Sequence, residues 1–255
     1  MHQPVFAVFL DLDGTLMVKN KIPPENRAAI AAVRSRGHMV FLNTGRSMAC
    51  IPPHVMQSIE FDGIVAGMGS HITCRDTILR SVVISLPLLQ EVTDYFNLKQ
   101  YPVIYEGEDR MIYARLMAPA TMPNVFYLGD QEHFADRFRD VRITKLTMTI
   151  QLTAEDRAYL SDAFTVYQHE TYAEIVLKGC SKSDGMQRVL DHLGLDYLHS
   201  IAIGDSANDE DMLRAAGISV AMGNATGPVK ALCDHLTADA VEAGVASALG
   251  KLLPG

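Results

Sequence analysis

VFAVFLDLDGT, residues 5–15, is the stretch that decides how this chain is read. Six consecutive apolar residues end abruptly at Asp11. A short, continuous apolar run predicts a strand covered on both faces, as in a parallel sheet between two helix layers. In open α/β sheets, ligands bind beyond the carboxyl ends of the strands, and Asp11-Leu12-Asp13-Gly14-Thr15 falls at such an end. Two carboxylates two residues apart, on a chain just leaving a strand, can converge on one metal ion. Gly14 lets the chain turn tightly there. The bland alternative is a solvated Asp-Gly turn, so the remainder of the chain must decide.

Outward from this stretch, strands and helices alternate. Pro23-Pro24 opens a helix over residues 25–36, with Ala29, Ile30 and Val33 at helical spacing, and Gly37 stops it. A strand at 38–42, a helix at 47–59 disturbed by Pro52-Pro53, and a strand at 61–66 follow. After Gly179 the same texture returns: helix 183–193, strand 199–203, helix 208–216, strand 218–222 and a last helix 239–252. Between them the pattern changes. Residues 103–105 and 111–116 read as a hairpin about a turn at 106–109, and 143–152 alternates as an antiparallel strand with one wet face. Helices are predicted at 86–100, 130–140 and 154–162. The expected fold class is α/β: a doubly wound, Rossmann-like parallel-sheet core from residues 1–81 and 178–255, with an α+β domain inserted at 82–177.

Composition narrows the partners. Of 255 residues 48% are hydrophobic, enough for a core and a sizeable insertion. The 22 basic and 30 acidic residues leave a net charge of -8, which argues against nucleic acid and anionic membrane surfaces. A small anionic substrate stays open, because a metal ion reverses the local sign of a carboxylate-lined site. Cys50, Cys74, Cys180 and Cys233 lie far apart without a CxxC pair, so reduced thiols in a cytoplasmic protein are expected. Neither a signal peptide nor a membrane span is indicated. Asn224-Ala225-Thr226 matches a glycosylation sequon, a chance match without secretion.

A second acidic segment, Gly204-Asp205-Ser206-Ala207-Asn208-Asp209-Glu210-Asp211, also follows a predicted strand. Such residues commonly cap a helix, yet Asp205 stands past a strand end as Asp11 does. Mg²⁺ takes one or two carboxylates, with water and phosphate completing an octahedron. Asp11, Asp205 and the backbone carbonyl of Asp13 suit it. Thr44, past the strand ending at Leu42, and Lys182 supply the donor and the positive charge that a transferring phosphoryl group needs.

DLDGT at 11–15, Thr44, Lys182 and GDSAND at 204–209 together resemble the four ordered motifs of the haloacid dehalogenase superfamily. An insertion between the second and third motifs is similar to the Cof-type branch, whose α/β cap is termed C2B. The resemblance implies a Mg²⁺-dependent phosphatase of small phosphomonoesters such as sugar phosphates or phosphorylated cofactors. Asp11 would be the nucleophile, forming an aspartyl phosphate, and Asp13 the general acid and base. Thr44, Gly45, Lys182 and Asn208 would hold the phosphoryl oxygens, and Asp11, Asp13 and Asp205 the metal. Asp209 would either orient Lys182 or ligate the metal. A cap would select the substrate, with Tyr105, Arg110, Arg115 and His133 as candidates, and Arg46 is placed to meet it. Where members often carry Asn-Gly-Ala, this chain has Met68-Gly69-Ser70, so an amide is missing there. Two other readings share the motifs. One is a phosphomutase; the other is an idle phospho-ligand sensor, which would not need to keep a nucleophile and an acid.

Overall fold

The computed structural model describes residues 4–119, 124–130 and 132–255. The chain enters through β1 (Ala7–Leu10), α1 (Pro24–Ser35), β2 (Met39–Asn43), α2 (Pro53–Ser58) and β3 (Gly63–Ala66), then a tight hairpin, β4 (His71–Cys74) and β5 (Thr77–Ser81). The middle third supplies α3 (Leu86–Leu98), β6 (Val103–Gly107), β7 (Met111–Ala114), β8 (Val125–Leu128), α4 (Phe134–Arg137), β9 (Ile143–Met148), α5 (Ala154–Leu160), β10 (Phe164–Gln168) and β11 (Ala173–Leu177). The chain returns through α6 (Lys182–Leu193), β12 (Ser200–Gly204), α7 (Glu210–Ala215), β13 (Ile218–Ala221), α8 (Gly227–Leu232), β14 (His235–Leu236) and α9 (Gly244–Leu252).

Two sheets result. The first has the order β14-β13-β12-β1-β2-β3-β4-β5, parallel from β14 to β3 and antiparallel at β4 and β5. Val8, Phe9 and Leu10 are fully buried, as a strand covered on both faces must be. The sequence leaves β1 for β2 and β3 on one side, and returns to β12 and β13 on the other. That makes the β1/β12 boundary the topological switch point, where a crevice opens beyond the strand ends. The second sheet, β10-β11-β9-β6-β7-β8, packs α3, α4 and α5 on one face around Leu89, Phe96, Tyr105, Phe134 and Leu146. Arg80 ties together the two connections between the sheets. It donates to the Gly179 carbonyl (2.9 Å) and the Cys180 sulfur (3.3 Å), and it pairs with Asp184.

Several expected boundaries move. Pro52-Pro53 splits the helix expected at 47–59 into a 3-10 turn at Met48–Cys50 and α2. Of the helix expected at 130–140 only Phe134–Arg137 forms, and Gln131 lies outside the described residues. The helix expected at 239–252 starts at Gly244, because Ala243 takes a left-handed φ of 55° and ends a preceding 3-10 turn. The β4–β5 and β10–β11 hairpins were not foreseen. They are short, and mixed in polarity, so no clear period of two shows.

One polar cluster holds α3 to α5. Asp156 is fully buried and closes a capping box with Thr153. It also accepts from Tyr95 Oη (2.8 Å), Lys99 Nζ (2.7 Å) and Tyr101 Oη (3.1 Å). Burial alone would raise its pKa, but Lys99 and the hydroxyl donors hold it well below the usual carboxylate range. A depressed carboxyl stabilises the fold above its unfolded value of about 3.9, and that contribution is lost as pH falls toward the folded value. Asp156→Ala is therefore expected to cost about 2–3 kcal/mol at neutral pH, through the lost cap and orphaned donors. The difference from the unaltered protein, measured by denaturant melts, should shrink below about pH 4.

Candidate active site

Asp11 sits where β1 ends, and its N–H still donates to the Ile203 carbonyl of β12 (3.0 Å). Asp205 leaves the neighbouring strand end. Oxygens from Asp11, Asp205 and Asp209 lie within 4.8 Å of one another. The loop after β1 passes so close that a Cβ on Gly14 would stand 2.5 Å from Asp205 Oδ2, at a φ of +80°. Only glycine serves there. Thr15 Oγ1 donates to Asp205 Oδ1 (3.1 Å), and Asn224 Nδ2 donates to the Gly14 carbonyl (2.8 Å) and Asp205 Oδ2 (3.4 Å). Asn224 thus braces both acidic loops at once.

Lys182, the first residue of α6, is fully buried among these acids. Its ammonium donates to Asp11 Oδ1 (2.6 Å), Asp209 Oδ1 (2.5 Å) and Asn208 Oδ1 (3.4 Å). Burial alone would lower the Lys182 pKa, but Asp11 and Asp209 outweigh it and hold the group above its ordinary value. Burial pushes Asp11 well up; Asp209 adds to this and Lys182 opposes it. Burial, then Asp209, push Asp205 up to about 6. Three carboxylates sharing one ammonium are short of positive charge. Their donors are oxygens only, so the set fits a hard divalent cation, which would remove that deficit.

Asp209 is fully committed. Its Oδ1 holds Lys182, while its Oδ2 accepts from the backbone N–H groups of Asp205 and Ser206, both at 3.0 Å. Of its two expected roles, orienting Lys182 is the one this geometry favours. Asp13 lies outside the three-carboxylate cluster. Its side chain is half exposed and paired through both oxygens to Arg46, at 2.6 and 2.8 Å. Thr44 is buried past β2, where its N–H donates to the Val65 carbonyl (2.8 Å) and its Oγ1 accepts from the Arg46 N–H (3.1 Å).

Asp11, Asp13, Thr44, Gly45, Arg46 and Asn208 line one side of a cavity of about 370 Å³. The second sheet forms the other side, and strand alternation decides which residues face in. Ile104 and Glu106 on β6, Met111 and Tyr113 on β7, Lys145 and Thr147 on β9, and Glu174 on β11 line the cavity. Their neighbours Tyr105, Ile112, Leu146 and Ile175 pack toward the helices. This corrects the candidates expected from the sequence. Tyr105 is buried and donates to Thr93 Oγ1 (3.0 Å); Arg110 pairs with Asp109, and Arg115 with Asp130. Neither these nor His133 line the cavity. The residues that do, Glu106, Lys145 and Glu174, carried no motif. The register of the hairpin was the usable signal, since Glu106 follows Tyr105 onto the opposite face. Met68, where an amide was missing, is buried at a φ of 55° against Val176 and Cys180.

The family model of haloacid dehalogenase-like hydrolases matches residues 8–249. A 5-amino-6-(5-phospho-D-ribitylamino)uracil phosphatase of Bacillus subtilis is 29% identical, over 96% of this chain and 97% of its own. An HMP-PP phosphatase of Escherichia coli is 25% identical, over 89% and 87%. Among solved structures, a phosphatase of the haloalkanoate superfamily from Bacteroides thetaiotaomicron superposes with a TM-score of 0.83. It is 24% identical over 97% of this chain and 95% of that one, and so speaks to the fold. No helix among the described residues is long and apolar enough to cross a membrane. With the family's model spanning nearly the whole chain, and with its motif residues gathered at one switch point, the protein belongs to the haloacid dehalogenase-like hydrolases, as an enzyme of their Cof-type phosphatase branch.

Proposed function

We propose that the protein is a Mg²⁺-dependent phosphatase of small phosphomonoesters that works through an aspartyl phosphate on Asp11. The observation carrying this reading is the Asp11 carboxylate at the floor of a small cavity, held at 2.6 Å by a buried Lys182. A volume of about 370 Å³ holds roughly a dozen waters, which suits a metabolite. The relatives named above act on small phosphorylated compounds, in line with this size.

In the first step an Asp11 oxygen attacks phosphorus, and the ester P–O bond breaks. Asp13 gives its proton to the leaving alkoxide. In the second step water attacks the same phosphorus, Asp13 takes a proton from it, and Asp11 is released with inorganic phosphate. Thr44, Gly45, Asn208 and Lys182 hold the phosphoryl oxygens in line, and Asp209 keeps Lys182 in place. A bound Mg²⁺, on Asp11, Asp205 and the Asp13 carbonyl, would neutralise the repulsion between carboxylate and phosphate. Arg46 holds Asp13 through both oxygens, so Asp13 must part from it to reach the leaving oxygen. Residues 82–177 act as the cap that shuts out water.

Phosphate release from a panel of esters tests the reading. Release should depend on Mg²⁺, fall at least about 100-fold after chelation, and return when Mg²⁺ is restored. Release unchanged by the chelator would sink it.

A further inference from the structure

The cap wall of the cavity carries a built charge cluster that the reaction itself does not use. Lys145 Nζ lies 3.1 Å from Glu106 Oε1 and 2.6 Å from Glu174 Oε1, and all three side chains are nearly inaccessible to bulk water. Lys145 faces Glu106 directly across the β6–β9 pair, so backbone register holds them side by side. Two of these groups also reach across to the core. Ser47 N–H donates to Glu106 Oε2 (3.3 Å), and Asn208 Nδ2 donates to Glu174 Oε2 (3.1 Å). His169 Nε2 meets the same Glu174 oxygen at 2.8 Å.

The charge count is unequal: two carboxylates to one ammonium. Lys145 is already committed to both acids, and the other cation in the lining, Arg46, is committed to Asp13. On the cap side of the cavity, among the described residues, Lys145 is the one cation in the lining, and it leaves none there for a second anionic group. Acceptors are in better supply. Among the described residues, Glu106 Oε2 has a single, long hydrogen bond, and Glu174 Oε1 has only Lys145. A second anion here would meet uncompensated carboxylates at low dielectric, which is strongly unfavourable. Hydroxyl or amine donors would find acceptors waiting.

Building on the phosphatase reading above, we propose that Glu106, Lys145 and Glu174 select phosphomonoesters whose leaving part is rich in hydrogen-bond donors and carries no second negative charge. Phosphorylated polyols, sugars and amino sugars fit this class. Bisphosphates and phosphorylated sugar acids do not.

Sorbitol 6-phosphate and 6-phosphogluconate form a matched pair, differing at the far carbon as a hydroxymethyl group against a carboxylate. With the full chain and Mg²⁺, kcat/KM should favour sorbitol 6-phosphate by at least about tenfold. In Glu106→Gln, which removes one negative charge and leaves the shape, that ratio should narrow. A loss caused by distorted folding would lower both rates and leave the ratio in place. Should the variant not fold, competition against p-nitrophenyl phosphate hydrolysis by the unaltered protein reads the same preference through the two inhibition constants. A wild-type ratio at or below one, a ratio unmoved in folded Glu106→Gln, or stronger inhibition by 6-phosphogluconate overturns the proposal. So does hydrolysis of the aryl ester with neither sugar ester turned over, which leaves the phosphatase reading standing. Release from no ester at all takes down both.

Discussion

Asp11→Asn should abolish phosphate release, by at least about 10⁴-fold, and leave the fold intact. The amide keeps the shape of the carboxylate and can still accept from Lys182, which lies 2.6 Å away. It cannot form the acyl phosphate, because an amide oxygen is a far weaker nucleophile than a carboxylate. A second consequence separates this reading from simple damage. Three carboxylates share one ammonium in this cluster, so removing one negative charge relieves repulsion. Without added metal the variant should melt no lower than the unaltered protein. Turnover near the original rate would rule out Asp11 as the attacking group, and a large drop in melting temperature would point to structural damage in place of lost chemistry.

Asp13→Asn carries the second large effect, and its signature is selectivity among leaving groups. For alkyl esters, whose alkoxide needs a proton, kcat should fall by about 10²–10⁴-fold. For p-nitrophenyl phosphate, whose phenolate leaves unaided, the loss in the first step should stay within about tenfold. The geometry makes the test pointed. Asp13 is bound through both oxygens to Arg46 and stands clear of the three-carboxylate cluster, so its loss need not disturb Asp11, Asp205 or Lys182. Equal losses in that first step for both kinds of ester would show that Asp13 is not the acid that protonates the leaving group.

The core of the site was legible because its chemistry is tied to strand ends. Asp11 and Asp205 each follow an apolar run, and β1 and β12 pair in parallel with Leu10 opposite Ile203. Neighbouring strands that stop in register bring such residues together automatically. Lys182 was legible by its place in the order of the motifs. Asn224 was not: a sequon gives no hint that its amide braces Gly14 and Asp205 from 210 and 19 residues away. Short elements went the same way. The helix expected at 130–140 shrank to four residues at Phe134–Arg137, because two buried phenylalanines four residues apart, Phe134 and Phe138, set among charged residues imitate an amphipathic pattern. The cap residues facing the cavity failed for another reason. Single aromatic and arginine side chains carry no sign of the face they occupy, whereas the alternation at 143–152, with its one wet face, marks Lys145 and Thr147 as a pair. That wet face turned out to be the cavity wall.

The alternation has an evolutionary reach as well. Along β6, β7 and β9, alternate positions answer to separate demands: Tyr105, Ile112 and Leu146 pack with the helices, while Ile104, Tyr113 and Lys145 line the cavity. A point mutation at an inward position rewrites what the pocket accepts without opening a hole beneath α3 or α5. Such a sheet is a template on which new specificities can be drafted one codon at a time, leaving the scaffold and the aspartates at the strand ends untouched.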